Sequence, residues 1–230
     1  MKGMRKASRL AGAGWAMLAA LLTACEGGVE VTFAQPFPAQ AADMAAFPAR
    51  HRAVYTAPDS SRSLCVGRTA VWRQELQSIT LDRRQLDSLP RRLTQDSTYQ
   101  DEKGRLHYVR LVTQDSVRDS WLLQDTIFTL AGPNAGKLRR FQGRYYLNVP
   151  KAGDDSWLVQ RLEIEGHRLS WQTLGQDTVR LLASEAAPIR YHRAKGISHF
   201  RLAPSTPQQT RRVGRYAGLW QTVENYQRRH

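Results

Sequence analysis

Thr98-Tyr99-Gln100-Asp101-Glu102-Lys103-Gly104-Arg105-Leu106-His107-Tyr108-Val109-Arg110-Leu111-Val112-Thr113 is the stretch that decides the fold class. Asp101 to Gly104 has the composition of a hairpin turn. Beyond it, Leu106, Tyr108, Arg110 and Val112 alternate with His107, Val109 and Leu111, the period of two that a strand imposes on its faces. Upstream, residues 52–56, 63–66 and 69–76 are short segments of β-branched and aromatic residues, separated by Ala57-Pro58-Asp59-Ser60 and Gly67-Arg68. Between them and the hairpin, residues 82–92 carry leucines among basic residues and read as a partial helix ended near Pro90. Downstream, residues 121–124 and 126–130 continue the strand pattern as far as Gly132-Pro133-Asn134-Ala135-Gly136, the strongest break in this part of the chain.

After that break the pattern of the first half recurs. Residues 141–146, 157–164 and 168–174 parallel residues 51–55, 63–66 and 69–76, and both sets end on a Trp shortly followed by Leu, at Trp72 and Leu76 and at Trp171 and Leu174. This suggests two similar modules, residues 47–136 and 137–203, forming two facing sheets or one barrel. Near the C-terminus Thr206 reads as a helix cap with Pro207 in the first turn, Val213 and Tyr216 inward and Gly218 as the stop. Residues 219–226 return as a last strand. The predicted fold is therefore mainly β, an antiparallel meander forming a β-sandwich or open barrel with a short C-terminal helix.

The N-terminus has a different character. Lys2, Arg5, Lys6 and Arg9 precede an apolar run over residues 10–22, the layout of an export signal, and the run is too short for a transmembrane helix, which needs about 20 apolar residues. It ends on Leu22-Thr23-Ala24-Cys25, which resembles the lipobox of bacterial lipoprotein precursors. That resemblance covers about the first 25 residues and implies a signal peptide over residues 1–24, with Cys25 lipidated as the first residue of the mature chain. It further implies attachment to a bacterial membrane in the cell envelope, the outer membrane ranked ahead of the inner. Residues 25–46, rich in Ala, Gln and Pro, read as a tether spanning about 60 Å if extended, with Val29 to Phe33 as an alternative short strand. The β-rich domain occupies residues 47–230.

The formal charge of the 230-residue chain is +14, and losing the four basic residues of the leader leaves +10. In an exported protein that charge points away from nucleic acid and towards anionic lipid headgroups, lipopolysaccharide phosphates or acidic envelope polymers. Arg pairs such as Arg83-Arg84, Arg91-Arg92, Arg139-Arg140, Arg211-Arg212 and Arg228-Arg229 are scattered, so folding alone decides whether they form a patch. Cys25 and Cys65 are the only cysteines; with the first committed to lipid, Cys65 reads as a buried small hydrophobe. No zinc, phosphate-loop, nucleophile-elbow or redox motif occurs, His192 and His199 flank what reads as a loop, and no cofactor is expected. Glu163 and Glu165 share one face of a strand, and Asp154-Asp155 reads as a turn. Trp72, Trp121, Trp157 and Trp171 either fill the sheet's core or line an Arg-rimmed groove for an anionic amphiphile. The function so indicated is a membrane-anchored binding or interaction module of the envelope, with a hydrolase of glycan or lipid, or a lipid carrier, as the alternatives.

Overall fold

The computed structural model describes residues 29–87, 96–175, 189–194, 197–216 and 218–229. Its strands are β1 (Val29–Phe33), β2 (Asp43–Met44), β3 (Ala53–Thr56), β4 (Arg62–Val66), β5 (Ala70–Asp82), β6 (Thr98–Gln100), β7 (Leu106–Leu111) and β8 (Ser116–Thr129). They continue as β9 (Lys137–Phe141), β10 (Arg144–Pro150), β11 (Trp157–Glu165), β12 (Arg168–Leu174), β13 (Ile189–Ala194), β14 (Ile197–Leu202) and β15 (Trp220–Arg228). A short helix spans Arg83–Asp87 and a second spans Pro207–Arg215. All the strands belong to one open, predominantly antiparallel sheet, ordered β13-β14-β1-β11-β12-β15-β3-β4-β5-β8-β7-β6, with β10, β9 and β2 continuing from the other edge of β11. The mainly β fold with a short C-terminal helix is thus as the sequence indicates. The two meanders read as modules, β3-β4-β5 and β10-β11-β12, lie in this one sheet with β15 between them rather than in two separate sheets.

The sheet curls around one core and is covered on its back by a second. Tyr55, Leu64, Val66, Val71, Phe128, Leu138, Tyr145, Leu147, Leu162, Leu169 and Tyr226, drawn from nine strands, enclose the first cluster, with Phe47 among them. Closing this curl brings Gly136 so near the opposite side that an added Cβ would lie 2.5 Å from both the Phe128 ring and the Asn148 carbonyl, so only glycine fits there. The second cluster, on the other face of β10 and β11, gathers Val31, Phe33, Phe37, Tyr146, Val159, Phe200, Leu202, Val213 and Trp220.

The helix Pro207–Arg215 lies over this second face. Its start follows from local chemistry: Gln209 N–H donates to Thr206 Oγ1 at 3.2 Å, Gln209 Oε1 accepts from Thr206 N–H at 3.3 Å, and Pro207 occupies the first turn. Gly214 lets the helix approach the Tyr146 hydroxyl closely. The buried Arg161 then donates to the Gly214 carbonyl at 2.8 Å and lies 4.6 Å from the centre of the Trp220 ring.

One expectation is corrected here. The segment read as a tether is part of the domain over its described residues, because β1 pairs in parallel with β14 from Val29 to Phe33, the alternative strand, and Phe33 and Phe37 are buried. Pro and Ala do favour extended backbone, but extended backbone carrying large rings is equally suited to packing. Phe37 sits between two prolines outside the strands, and Asn148 supplies the pairing a neighbouring strand would otherwise give. Its Oδ1 accepts from Phe37 N–H at 2.6 Å, and its Nδ2 donates to the carbonyls of Phe37 and Lys137 at 2.9 and 3.0 Å. Of the helix read over residues 82–92, Arg83–Asp87 is helical and residues 88–92 lie outside the described residues.

Two outcomes are expected. A chain beginning at residue 47 should fail to give the cooperative urea transition of one beginning at residue 25, since it lacks β1 and two buried Phe rings worth about 1.5–3 kcal/mol each. Asn148→Ala should lower unfolding free energy by about 3 kcal/mol, because the Phe37 amide and the carbonyls it served are left buried without partners.

Candidate functional site

Beyond the cores the sheet continues as an arm. Val71 and Phe128 anchor β5 and β8 in the first core, but from Leu76 to Asp82 strand β5 pairs only with β8, to which β7 and β6 are added in turn. No residue of β6 or β7 belongs to either core cluster. What holds the arm is one of its own faces. Tyr99, His107 and Trp121 stand opposite one another on three strands and stack, with ring centroids 4.6 and 4.9 Å apart. On the same face buried Asp119 accepts from the Tyr99 hydroxyl at 2.6 Å and pairs with His107 Nδ1 at 3.0 Å. The turn is fixed by Asp101, whose carboxylate accepts from the amides of Lys103 and Arg105 and from the Arg105 guanidinium. Those bonds hold the carboxyl well below the ordinary carboxylate range, against the opposing effect of desolvation.

The arm's other face is open. Leu76 pairs with Leu122, and Leu106, one step beyond the His107–Trp121 pair, extends that row across a third strand. The next row is Ser78, Ser120 and Tyr108, and the next is Thr80, Arg118 and Arg110. Leu76, Tyr108, Leu106 and Leu122 are 59, 54, 42 and 46 % exposed. Scattered exposed leucines need no explanation, but a contiguous apolar row with paired cations two rows away on the same face does.

A second feature is a hollow of about 420 Å³ where β11, β12 and β15 meet Pro58, lined by Glu163, Glu165, Arg168, Ser170, Asn225 and Gln227. The two carboxylates singled out in the sequence therefore do face one hollow. Glu163 is committed to the Arg144 guanidinium, at 2.7 and 2.8 Å. Tyr226 also borders it, and its hydroxyl donates to Glu224 at 2.6 Å; burial and that carboxylate hold its ionisation well above the ordinary tyrosine range.

A third cluster lies at β1 and β14. Glu30 Oε2 meets Lys151 Nζ and His199 Nδ1, each at 2.6 Å, and Asp154 lies 3.5 Å from Arg201. His192 and His199, read as flanking a loop, are instead directly paired on β13 and β14, their rings stacked at 4.6 Å. Among the described residues no group of three or more His, Cys, Asp or Glu is placed to hold a metal ion.

The remaining residues fall as follows. Cys65 is buried and its thiol donates to Gln74 Oε1 at 3.2 Å; burial pushes the thiol up, which makes it a poor nucleophile. The four tryptophans do not line one groove: Trp171 is in the first core, Trp157 packs on the second, Trp72 lies over Gly67, and Trp121 is in the arm. Arg139 is used structurally, binding Asp43 and the carbonyls of Pro36 and Pro38, while Arg140 lies over the Tyr145 ring. Cys25 and the Arg91-Arg92 pair lie outside the described residues. No protein-family model, curated protein or solved structure matches the chain.

The Glu30 cluster gives a pH prediction. The hydrogen bond from Lys151, followed by that from His199, lowers the Glu30 carboxyl from its ordinary 4.5, against partial desolvation. A carboxyl lowered in the folded state contributes stability that is fully present above 4.5 and is lost as the pH falls through the folded value. Glu30→Gln should therefore melt lower than the wild type at neutral pH, with the difference narrowing below pH 4.5 in thermal unfolding curves.

Proposed function

We propose that this chain is a membrane-anchored lipoprotein of the bacterial envelope, the outer membrane ahead of the inner, whose β domain is a non-enzymatic binding module presenting the arm as its contact surface. The observation that carries this reading joins sequence and fold. The lipobox cysteine precedes β1 by only Glu26, Gly27 and Gly28, and β1 is integral to the second core. Fully extended, four residues reach about 14 Å. Acylation at Cys25 therefore holds the domain flush against the bilayer rather than at the end of a long leash. Two or three acyl chains at about 0.8 kcal/mol per buried methylene make that attachment effectively permanent.

The hydrolase alternative has one observation in its favour, two carboxylates at one hollow, and against it the engagement of Glu163 by Arg144. Such a pair suits charge-assisted binding of a polar group as readily as acid-base work.

Cys25→Ser should abolish incorporation of labelled palmitate and release the protein from washed membranes, and mass spectrometry of the wild-type mature chain should begin at residue 25. Continued acylation of the substituted protein would overturn the anchor.

A further inference from the structure

We infer that the open face of the arm is a second, peripheral contact with the membrane, its leucines and Tyr108 seated in the headgroup region of an anionic bilayer and Arg110 and Arg118 against lipid phosphates. This deepens the reading just given and shares its premise of an envelope protein.

The choice of partner follows from the chemistry of the face. Leu76, Leu122 and Leu106 form one row, Tyr108 the next, and Arg118 and Arg110 stand directly opposite each other in the third. Two cations placed side by side repel, and like charges in opposed positions weaken a sheet. Over these three rows no carboxylate shares the face; the next in register, Asp82, sits one row further out and accepts from the Arg84 amide at 2.8 Å. Among the described residues neither Arg110 nor Arg118 has a carboxylate within ion-pair distance, so the pair awaits an external anion.

An apolar row grading through a Tyr into paired Arg is the profile of a surface that enters a bilayer interface. The leucines reach towards acyl chains, the phenol lies at the boundary, and the guanidiniums meet phosphate. A second copy of the chain fits less well. In a two-fold contact the same face meets itself, which would put four guanidiniums into one interface with no acid in these rows to answer them. The stacked and hydrogen-bonded inner face supplies the rigidity: Asp119, His107, Tyr99 and Trp121 hold three strands in register, so the outer rows present a preformed platform.

The test uses the mature chain carrying Cys25→Ser, so that no acyl chain contributes, with vesicles of phosphatidylcholine alone or containing phosphatidylglycerol. Cosedimentation should show binding to the anionic vesicles only, weakening as salt rises. An exposed Arg at such a surface contributes about a fivefold gain in affinity, so Arg110→Gln with Arg118→Gln should weaken binding about 30-fold. Leu76→Ser with Leu122→Ser should weaken binding to the anionic vesicles further at every salt concentration. All four positions are exposed, and unchanged circular dichroism and melting would verify that the variants fold. Tyr108→Trp should add emission that brominated lipid quenches, beyond any quenching of the native tryptophans in the wild type.

Equal binding to neutral vesicles, indifference to the Arg and Leu substitutions, or quenching of the Tyr108→Trp variant by brominated lipid no greater than that of the wild type would each overturn the proposal. Loss of a dimer in the Leu variants on sedimentation, without vesicle binding by the wild type, would assign the face to self-association and overturn it also. Because acylation plays no part here, failure of this contact leaves the anchor at Cys25 standing, and failure of the anchor leaves this result intact.

Discussion

Burying β10 and β11 on both faces is the constraint on which the rest of the molecule depends. Tyr145, Leu147 and Leu162 look into one core, and Tyr146, Val159 and Arg161 into the other. A strand buried on one side can leave polar residues on the other, but polar side chains on one buried on both are costly unless they meet partners brought from elsewhere in the chain. The curl of β3, β4, β5 and β8 supplies the first cover. The second is assembled from two distant pieces, β1 with Phe37 from the N-terminal side, and β14 with the helix Pro207–Arg215 from the C-terminal side. Two buried polar side chains join these pieces to the central strands, Asn148 through the Phe37 backbone and Arg161 through the Gly214 carbonyl.

The division between core and arm gives the molecule two kinds of stability. The core strands depend on contacts distant in sequence. The arm depends on a local set, in which one carboxylate serves a hydroxyl and an imidazole between stacked rings. Desolvated groups of this kind are costly if left incomplete and stiffening when matched. A structure that carries an exposed apolar row needs such support, because a flexible strand with the same side chains would be a site of edge pairing and aggregation.

Much of the architecture is legible in the sequence because its signals are local. The alternation after Gly104, the Asp101 turn and the Thr206-Pro207 helix start each involve residues a few positions apart. What escapes depends on partners far away. Residues 29–46 have the composition of a linker, and only the presence of β14 and Asn148 turns them into structure. His192 and His199 read as loop residues because Gly196 falls between them in the sequence, and only the pairing of residues 189–194 with 197–202 makes them neighbours on two strands. In the arm the period of two is visible, but both faces carry apolar residues, so alternation does not say which is covered. His107 and Asp119 are buried on one face, which also carries the exposed Ile79 and Leu111, and nothing in their spacing marks the two as partners. The proximity of Glu163 and Glu165 is legible from their two-residue separation, whereas the hollow they face requires β15 and Pro58.

The parallel pairing of β1 with β14 has a consequence for the order of events. Thr32 and Phe200 lie 168 residues apart, and the second core cannot close until both are available. Contacts of such long sequence separation carry a loop-closure penalty and slow folding. A chain emerging from synthesis therefore holds β1 without its main partner, β14, until nearly 200 residues have been made. Until β14 has been made, the topology itself keeps the polypeptide from completing its second core.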